Sequence, residues 1–205
     1  MVGMTMTLSE MLRAETAEQH RSAEGKHVQQ ALVKGAITRE QYGAWLGQML
    51  VIHEELAAAV GAAGKSEPRV LMAGEAAQHA ARLRADLGAL GIAAERGLAA
   101  TNGLVAQIRT ATAAQLVGMQ YVLDGSMNGN TYIARGVRRA VSLTPGSGDT
   151  YLDPYGERQR GVWGAFKTSL DALGYDEGQR GEAVEGARAM FEGIAGMSDE
   201  LAGKW

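Results

Sequence analysis

The sequence predicts an all-α fold, with one domain of six to eight helices spanning residues 1–205. Alanine loses no side-chain entropy in a helix, and it fills 35 of the 205 positions, whereas only 3 are proline. No segment of useful length alternates apolar and polar residues as a half-buried strand does. Several periodic apolar segments open with a capping box, in which Thr precedes Glu or Gln by three residues.

The first half of the chain reads as three helices. Thr7-Leu8-Ser9-Glu10 opens the first, and Gly25 ends it or its first segment. Four residues spaced four apart form one stripe along this helix: Leu8, Leu12, Thr16 and His20. Thr38-Arg39-Glu40-Gln41 opens a second, long helix. Pro68 precedes a third, Ala-rich helix over about residues 69–89.

The second half predicts four more helices. A short helix covers about residues 102–110, and a long helix over about 112–142 contains glycines at four positions: Gly118, Gly125, Gly129 and Gly136. Residues 144–149, rich in Pro, Gly and Ser, form the clearest loop. The last two helices cover about residues 156–173 and 176–202.

Charge and cysteine content exclude several classes of protein. The formal net charge of −3 gives no basis for bulk nucleic-acid binding, and no stretch approaches the ~20 apolar residues of a membrane span. The chain has no cysteine, which excludes disulfides, thiolate metal ligands and a thiol nucleophile. We expect no secretory signal, disorder over residues 1–6 and a cytoplasmic location.

His20 is the most suggestive of the four histidines. It lies on the apolar stripe of the first helix, and Glu24 follows one turn later on the same face. A metal-ligating imidazole usually donates its other N–H to a carboxylate or a carbonyl. The pair is therefore a candidate metal ligand with its orienting group, and a boundary pair without a metal is the alternative.

Gly125 and Gly129 leave one face of the long helix without side chains. They are spaced i, i+4, so a flat, large ligand can lie directly on the backbone there. Close packing against another helix is the alternative, because small residues also permit that.

Two segments taken together resemble the helices of a known family. Leu8-Ser9-Glu10-Met11-Leu12-Arg13, continuing to His20 and Glu24, is similar to the haem-ligand helix of haem oxygenases. Tyr121-Val122-Leu123-Asp124-Gly125-Ser126 is similar to the distal helix of their bacterial branch. The resemblance covers about residues 7–200. It implies a single-domain helical bundle that holds haem between a proximal helix and a kinked distal helix.

The resemblance also implies roles for individual residues. His20 matches the axial haem-iron ligand, and Glu24 matches the group that orients it. The catalytic distal side consists of four residues: Gly125, Ser126, Gly129 and Asn130. The implied reaction is oxidative cleavage of haem to biliverdin, carbon monoxide and ferrous iron, with O2 and an external electron donor such as ferredoxin or a reductase.

Arginines complete the implied site. Arg13 falls where the family has a basic residue near the haem propionates, and Arg160 is a second candidate, because guanidinium pairs bidentately with carboxylates. A solvated helix surface is the alternative for both. Arg135, Arg138 and Arg139 form a basic cluster that is a candidate docking site for an acidic electron donor. The alternative is a solvated helix end.

Two distal positions depart from the family pattern. Some members have Asp after the first distal glycine, where it organises a water network, but this chain has Ser126, as bacterial relatives do. Asp124 is no simple substitute, because adjacent helical residues point about 100° apart. Asn130 stands where a small residue is usual, so it narrows the pocket or adds a hydrogen bond.

Proteins with this helical architecture have other functions, and three of them are alternatives to haem cleavage. A haem carrier or sensor on the same fold would bind haem without opening the ring. Di-iron proteins of this architecture need carboxylates and histidines from several helices, and His20–Glu24 with Glu75–His79 are the available pairs. Thiaminase-like relatives use a Cys nucleophile, which this chain lacks.

Overall fold

The computed structural model describes residues 6–205, which contain nine α-helices and two short 3₁₀ helices. The disorder expected for residues 1–5 lies outside this part, and Met6 is exposed and non-helical. No strand occurs among the described residues, which confirms the all-α prediction. The α-helices are α1 (Leu8–Glu15), α2 (Ala17–Glu24), α3 (His27–Lys34), α4 (Arg39–Ala63), α5 (Ala76–Leu90), α6 (Ala99–Thr110), α7 (Ala113–Val141), α8 (Gln159–Asp171) and α9 (Glu177–Ala202).

The number of helices exceeds the predicted six to eight because the first segment divides. Thr16 separates α1 from α2: its φ and ψ of −115° and 9° are not helical, and its hydroxyl donates to the Leu12 carbonyl at 2.7 Å. Such a bond competes with the backbone ladder. Helix α3, which ends at Gly35 with a left-handed φ of 67°, was not predicted from the sequence.

The third predicted helix begins later than expected. Residues Pro68–Ala73 form a 3₁₀ helix, and α5 starts only at Ala76. Gly74 lies between them against α7, where a Cβ would clash with the carboxylate of Asp124 and the amide of Gln120. The chain therefore turns at Gly74 because it packs closely on α7.

The predicted helix starts are confirmed where a capping box is present. Thr7, Thr38 and Thr112 each accept a hydrogen bond from the backbone N–H three residues on, and the Glu or Gln at that position bonds back. Asp176 does the same for α9. These reciprocal bonds satisfy N–H groups that the first turn of a helix leaves without partners.

α7 is the central helix. It packs along α9, and α3 contacts both of these helices. α4 contacts α7, α5 and α6, and α8 contacts α1 and α7. The buried apolar side chains form one cluster, to which α4, α7 and α9 contribute heavily. None of the described helices combines the length and apolar character that crossing a bilayer requires.

Two glycines allow α7 and α9 to touch backbone to backbone. A Cβ on Gly118 would clash with the Ala183 carbonyl, and a Cβ on Gly186 would clash with the Gln115 carbonyl. At these positions the close-packing interpretation of glycine holds, because rigid backbone atoms occupy the space that a side chain needs.

Gly118→Ala is therefore expected to destabilise the protein by about 3 kcal/mol, since overpacking against backbone forces α7 and α9 apart. Gly103→Ala in α6 is the matched control, because its Cβ would meet nothing within 4 Å. We expect that control to gain up to about 1 kcal/mol from helix propensity. Urea unfolding of both variants measures the difference, and equal stabilities would contradict the close-packing role of Gly118.

Candidate functional site

A cavity of about 840 Å³ opens between α2 and α7. α2 contributes His20, Arg21 and Glu24, and α7 contributes residues between Tyr121 and Ile133. Side chains from the other elements close the remaining sides: Arg13, Gln29, Gln30, Val33, Met49, Trp163, Phe191 and Ile194. The proximal and distal segments identified in the sequence thus face one cavity.

His20 lies on the α2 wall with one ring nitrogen close to a carboxylate. Its Nδ1 lies 3.4 Å from the Glu24 carboxylate, and Phe191 meets its ring edge-on at a centroid distance of 5.5 Å. Nε2 has no hydrogen-bond partner among the described residues, and the side chain is 54% exposed. An imidazole with a carboxylate beside Nδ1 and with Nε2 free has the arrangement that a metal ligand requires.

The other histidines lie elsewhere. Among residues 6–205, His20 is the one histidine that lines the cavity. His53 and His79 are fully buried and bond Tyr151 and Asp124 respectively, while His27 is exposed on α3. Burial, followed by the effect of His79, lowers the pKa of His53 well below its ordinary value.

The two distal glycines differ in their surroundings. A Cβ on Gly129 would meet nothing within 4 Å, so the α7 backbone is open to the cavity at that point. A Cβ on Gly125 would lie 3.1 Å from the Trp163 indole of α8. Of the two interpretations of these glycines, close packing against another helix thus applies to Gly125, because Trp163 packs onto it.

Polar side chains near these glycines bond back to the α7 backbone. Ser126 donates to the Leu123 carbonyl at 2.7 Å, and Asn128 donates to the Gly125 carbonyl at 3.0 Å. Side-chain hydrogen bonds of this kind are associated with helix bending. They lie in the part of α7 that the family resemblance identifies as the kinked distal helix. Asn130 is buried and lines the cavity, and its amide lies 3.6 Å from the Met127 sulfur.

Of the two predicted anchoring arginines, one lies at the cavity. Arg13 lines it, whereas Arg160 is exposed on α8 and is not among the residues that line it. The cavity is also lined by three residues that were not predicted from the sequence: Arg21, Gln29 and Gln30. The one signal for Arg21 in the sequence was its position directly after His20 on the predicted ligand helix.

The basic cluster on α7 is smaller than predicted. Arg138 bonds the buried Asp149 carboxylate and also Asp153, so its charge is taken up within the fold. Arg135 lies over the exposed Tyr132 ring at 5.7 Å. Arg139 is the remaining member of the cluster.

The two pairs considered for a di-iron site are not brought together. Glu75 lies by a second cavity of about 290 Å³, together with Asp124, Tyr155 and Trp163, whereas His20 and Glu24 line the first. His79 is occupied by Asp124 and Arg82. No group of three or more His, Cys, Asp or Glu side chains within residues 6–205 is arranged to hold a metal ion.

Solved structures with this architecture include haem oxygenases. Haem oxygenase from Leptospira interrogans is 21% identical, with a TM-score of 0.81 over 95% of this chain and 100% of that one. Haem oxygenase-2 from Synechocystis, solved with haem and NO, is 20% identical, with a TM-score of 0.86 over 97% and 86%. A TenA homologue from Pyrococcus furiosus is 12% identical, with a TM-score of 0.67 over 95% and 99%. At these identities the likeness establishes the fold alone.

Sequence comparison decides between these architectural relatives. No curated protein matches this chain. The profile of the family described as Heme oxygenase, however, matches residues 6–200, which is nearly the whole chain. With His20 and the open α7 backbone facing one cavity, this match shows that the chain belongs to the haem oxygenase family.

Proposed function

We propose that this protein cleaves haem oxidatively to biliverdin, carbon monoxide and ferrous iron, using O2 and an external electron donor in the cytoplasm. One observation carries the proposal: an imidazole with a free nitrogen and a helix face without side chains line the same cavity. The volume of about 840 Å³ lies at the upper end of the range for ligand pockets.

The residues present fit haem. His20 would ligate the iron through Nε2, and Glu24 would hold the imidazole in the required tautomer. Gly129 would let the α7 backbone approach the opposite face of the ring. Arg13 and Arg21 would pair with the propionate carboxylates, for which the guanidinium fork is suited.

The distal residues define what this chain contributes to catalysis. Haem, when bound, supplies both the iron at which dioxygen is activated and the ring that is opened. Ser126 and Asn130 line the cavity and are able to hold water there. The Ser126 hydroxyl already donates a hydrogen bond to the Leu123 carbonyl. Toward water in the cavity, it can therefore act only as a hydrogen-bond acceptor. Water, and not a distal carboxylate, would then deliver protons.

That same feature favours a second candidate, a haem carrier or sensor. The Ser126 hydroxyl, which is hydrogen-bonded to a carbonyl at 2.7 Å, is a weaker proton source than a carboxylic acid. A site that supplies few protons would bind haem without opening its ring. The two candidates differ in one product, since biliverdin forms only if the ring is opened.

A visible spectrum before and after turnover tests the proposal. The haem complex receives a reductant or a reductase with ferredoxin in air, with catalase added to remove free peroxide. We expect the haem spectrum to give way to that of a bilin. Reduction without a bilin, together with intact haem recovered afterwards, would support the carrier or sensor instead.

Glu24→Gln is expected to weaken the iron–imidazole bond and to lower haem affinity or turnover 10–100-fold, as loss of such a partner does. Glu18→Gln on the same helix is the control, because Glu18 is exposed and away from the cavity. The iron–histidine stretching frequency in the ferrous complex is the measurement. The same frequency in both variants would show that Glu24 is only a surface carboxylate.

A further inference from the structure

A cluster of buried polar groups joins α4, α5 and α7 next to the second cavity, and the proposed function does not use it. His79 Nε2 lies 2.9 Å from Asp124 Oδ1, and the His79 side chain is 1% exposed. The hydroxyl of the buried Tyr151 lies 3.0 Å from His53 Nε2. His53 Nδ1 has no partner among the described residues. Burying such groups in an apolar bundle is costly, so the fold alone does not require them.

The contacts of His79 determine where its proton lies. Arg82 approaches His79 Nδ1 at 3.0 Å, and a guanidinium only donates hydrogen bonds. Nδ1 is therefore the acceptor, and the hydrogen of the neutral ring lies on Nε2, which donates to Asp124. Burial raises the pKa of Asp124, and the hydrogen bond from His79 opposes this shift because it favours the ionised form.

The charge on Asp124 is not cancelled nearby. Arg82 contacts His79, but Glu75 accepts a hydrogen bond from this arginine at 3.4 Å and also accepts one from the Tyr155 hydroxyl. The arginine and Glu75 thus neutralise each other. The titratable or charged groups around Asp124 come from α4, α5 and the segments flanking α5 and α8: His53, Glu75, His79, Arg82, Tyr151 and Tyr155.

Asp124 is placed to act on the first cavity through α7. It immediately precedes Gly125 and Ser126, which line that cavity, while Asp124 itself lines the second cavity. Burial, followed by the charge of Asp124, raises the pKa of Tyr151. Trp163 lines both cavities, so the cavity that Asp124 lines adjoins the first one.

We propose that Asp124, held ionised by His79, is a positioning residue whose buried negative charge raises the proton affinity of the distal side of the site. The proposal rests on the proposed function. Across one helix diameter, on the order of 10 Å, with an effective dielectric of about 20, a unit charge shifts such a proton equilibrium by about one pH unit. Asp124 thereby partly replaces the acidic group that Ser126 does not provide.

The test is a pH titration of the ferric haem complex, followed by its visible spectrum. The measured quantity is the pH midpoint of the spectral change that accompanies loss of a proton from the distal side of the haem. Asp124→Asn is expected to lower this midpoint by about one unit, because the neutral amide no longer favours the protonated form. Glu75→Gln leaves Arg82 without its counter-charge and is expected to lower the midpoint by a smaller amount. Because Glu75 is partly exposed, this second variant serves even if Asp124→Asn does not fold.

Asp171→Asn is the matched control. It removes the same single charge, but Asp171 bonds Ser9 on α1 and lines neither cavity. Its midpoint should equal that of the wild type. Midpoints for the Asp124 and Glu75 variants equal to that of the control would overturn the inference and leave the proposed function standing. A wild-type chain that takes up no haem would overturn both.

Discussion

His20→Ala is expected to abolish the histidine-ligated spectrum of the haem complex. The imidazole is the one described histidine at the cavity, and its Nε2 is free to ligate iron. Turnover should fall by at least the 10–100-fold that loss of an outer-sphere partner costs. Haem uptake should weaken but not vanish, because Arg13, Arg21 and the apolar walls are unchanged.

Two controls make this result specific to ligation. Added imidazole should enter the space left by the side chain and restore the spectrum of the variant. His27→Ala, exposed on α3 and away from the cavity, should keep the wild-type spectrum. A normal spectrum and normal turnover in His20→Ala would remove the ligand assignment and every role derived from it.

Gly129→Ala is expected to separate stability from function. The added methyl group would meet no atom within 4 Å, so the haem-free protein should be as stable as the wild type or gain up to ~1 kcal/mol. The same methyl group would project into the space proposed for the ring. Displacement by about 1 Å costs about 100-fold in rate, so we expect a loss of that order in biliverdin formation. Thermal melts beside single-turnover spectra measure both effects.

Gly125→Ala is the informative comparison. Its methyl group would lie 3.1 Å from Trp163, so this variant should lose some stability even without haem as the indole moves aside. Biliverdin formation should fall as well, because Trp163 lines the same cavity. Normal biliverdin yield from both glycine variants would contradict the assignment of α7 as the distal helix.

Local signals predicted the parts of the fold that depend on nearby residues. The capping boxes at Thr7, Thr38 and Thr112 act within four residues, and each marks the start of a helix. The His20–Glu24 pair is likewise one turn of α2, and its geometry follows from helical spacing. These features required no knowledge of tertiary contacts.

Features that depend on distant residues escaped prediction. The late start of α5 comes from Gly74 packing on Asp124, fifty positions along the chain. Nothing in the local sequence distinguishes Gly118, which faces the Ala183 backbone, from Gly129, which faces open space. The link between Asp124 and His79 joins two helices, so only the packed structure places a carboxylate behind the distal glycines.

The isomer composition of the biliverdin formed in a single turnover tests the central claim most directly, that this cavity holds haem in a fixed position and opens it there. The wild type, mixed with one equivalent of haem, electron donor and O2 in the presence of catalase, is expected to give about one bilin and one carbon monoxide per haem. One isomer should predominate, because a seated ring presents one edge to the distal side. Free oxidation of unheld haem has no such preference. A mixture of all isomers, or haem recovered unopened, would contradict the account.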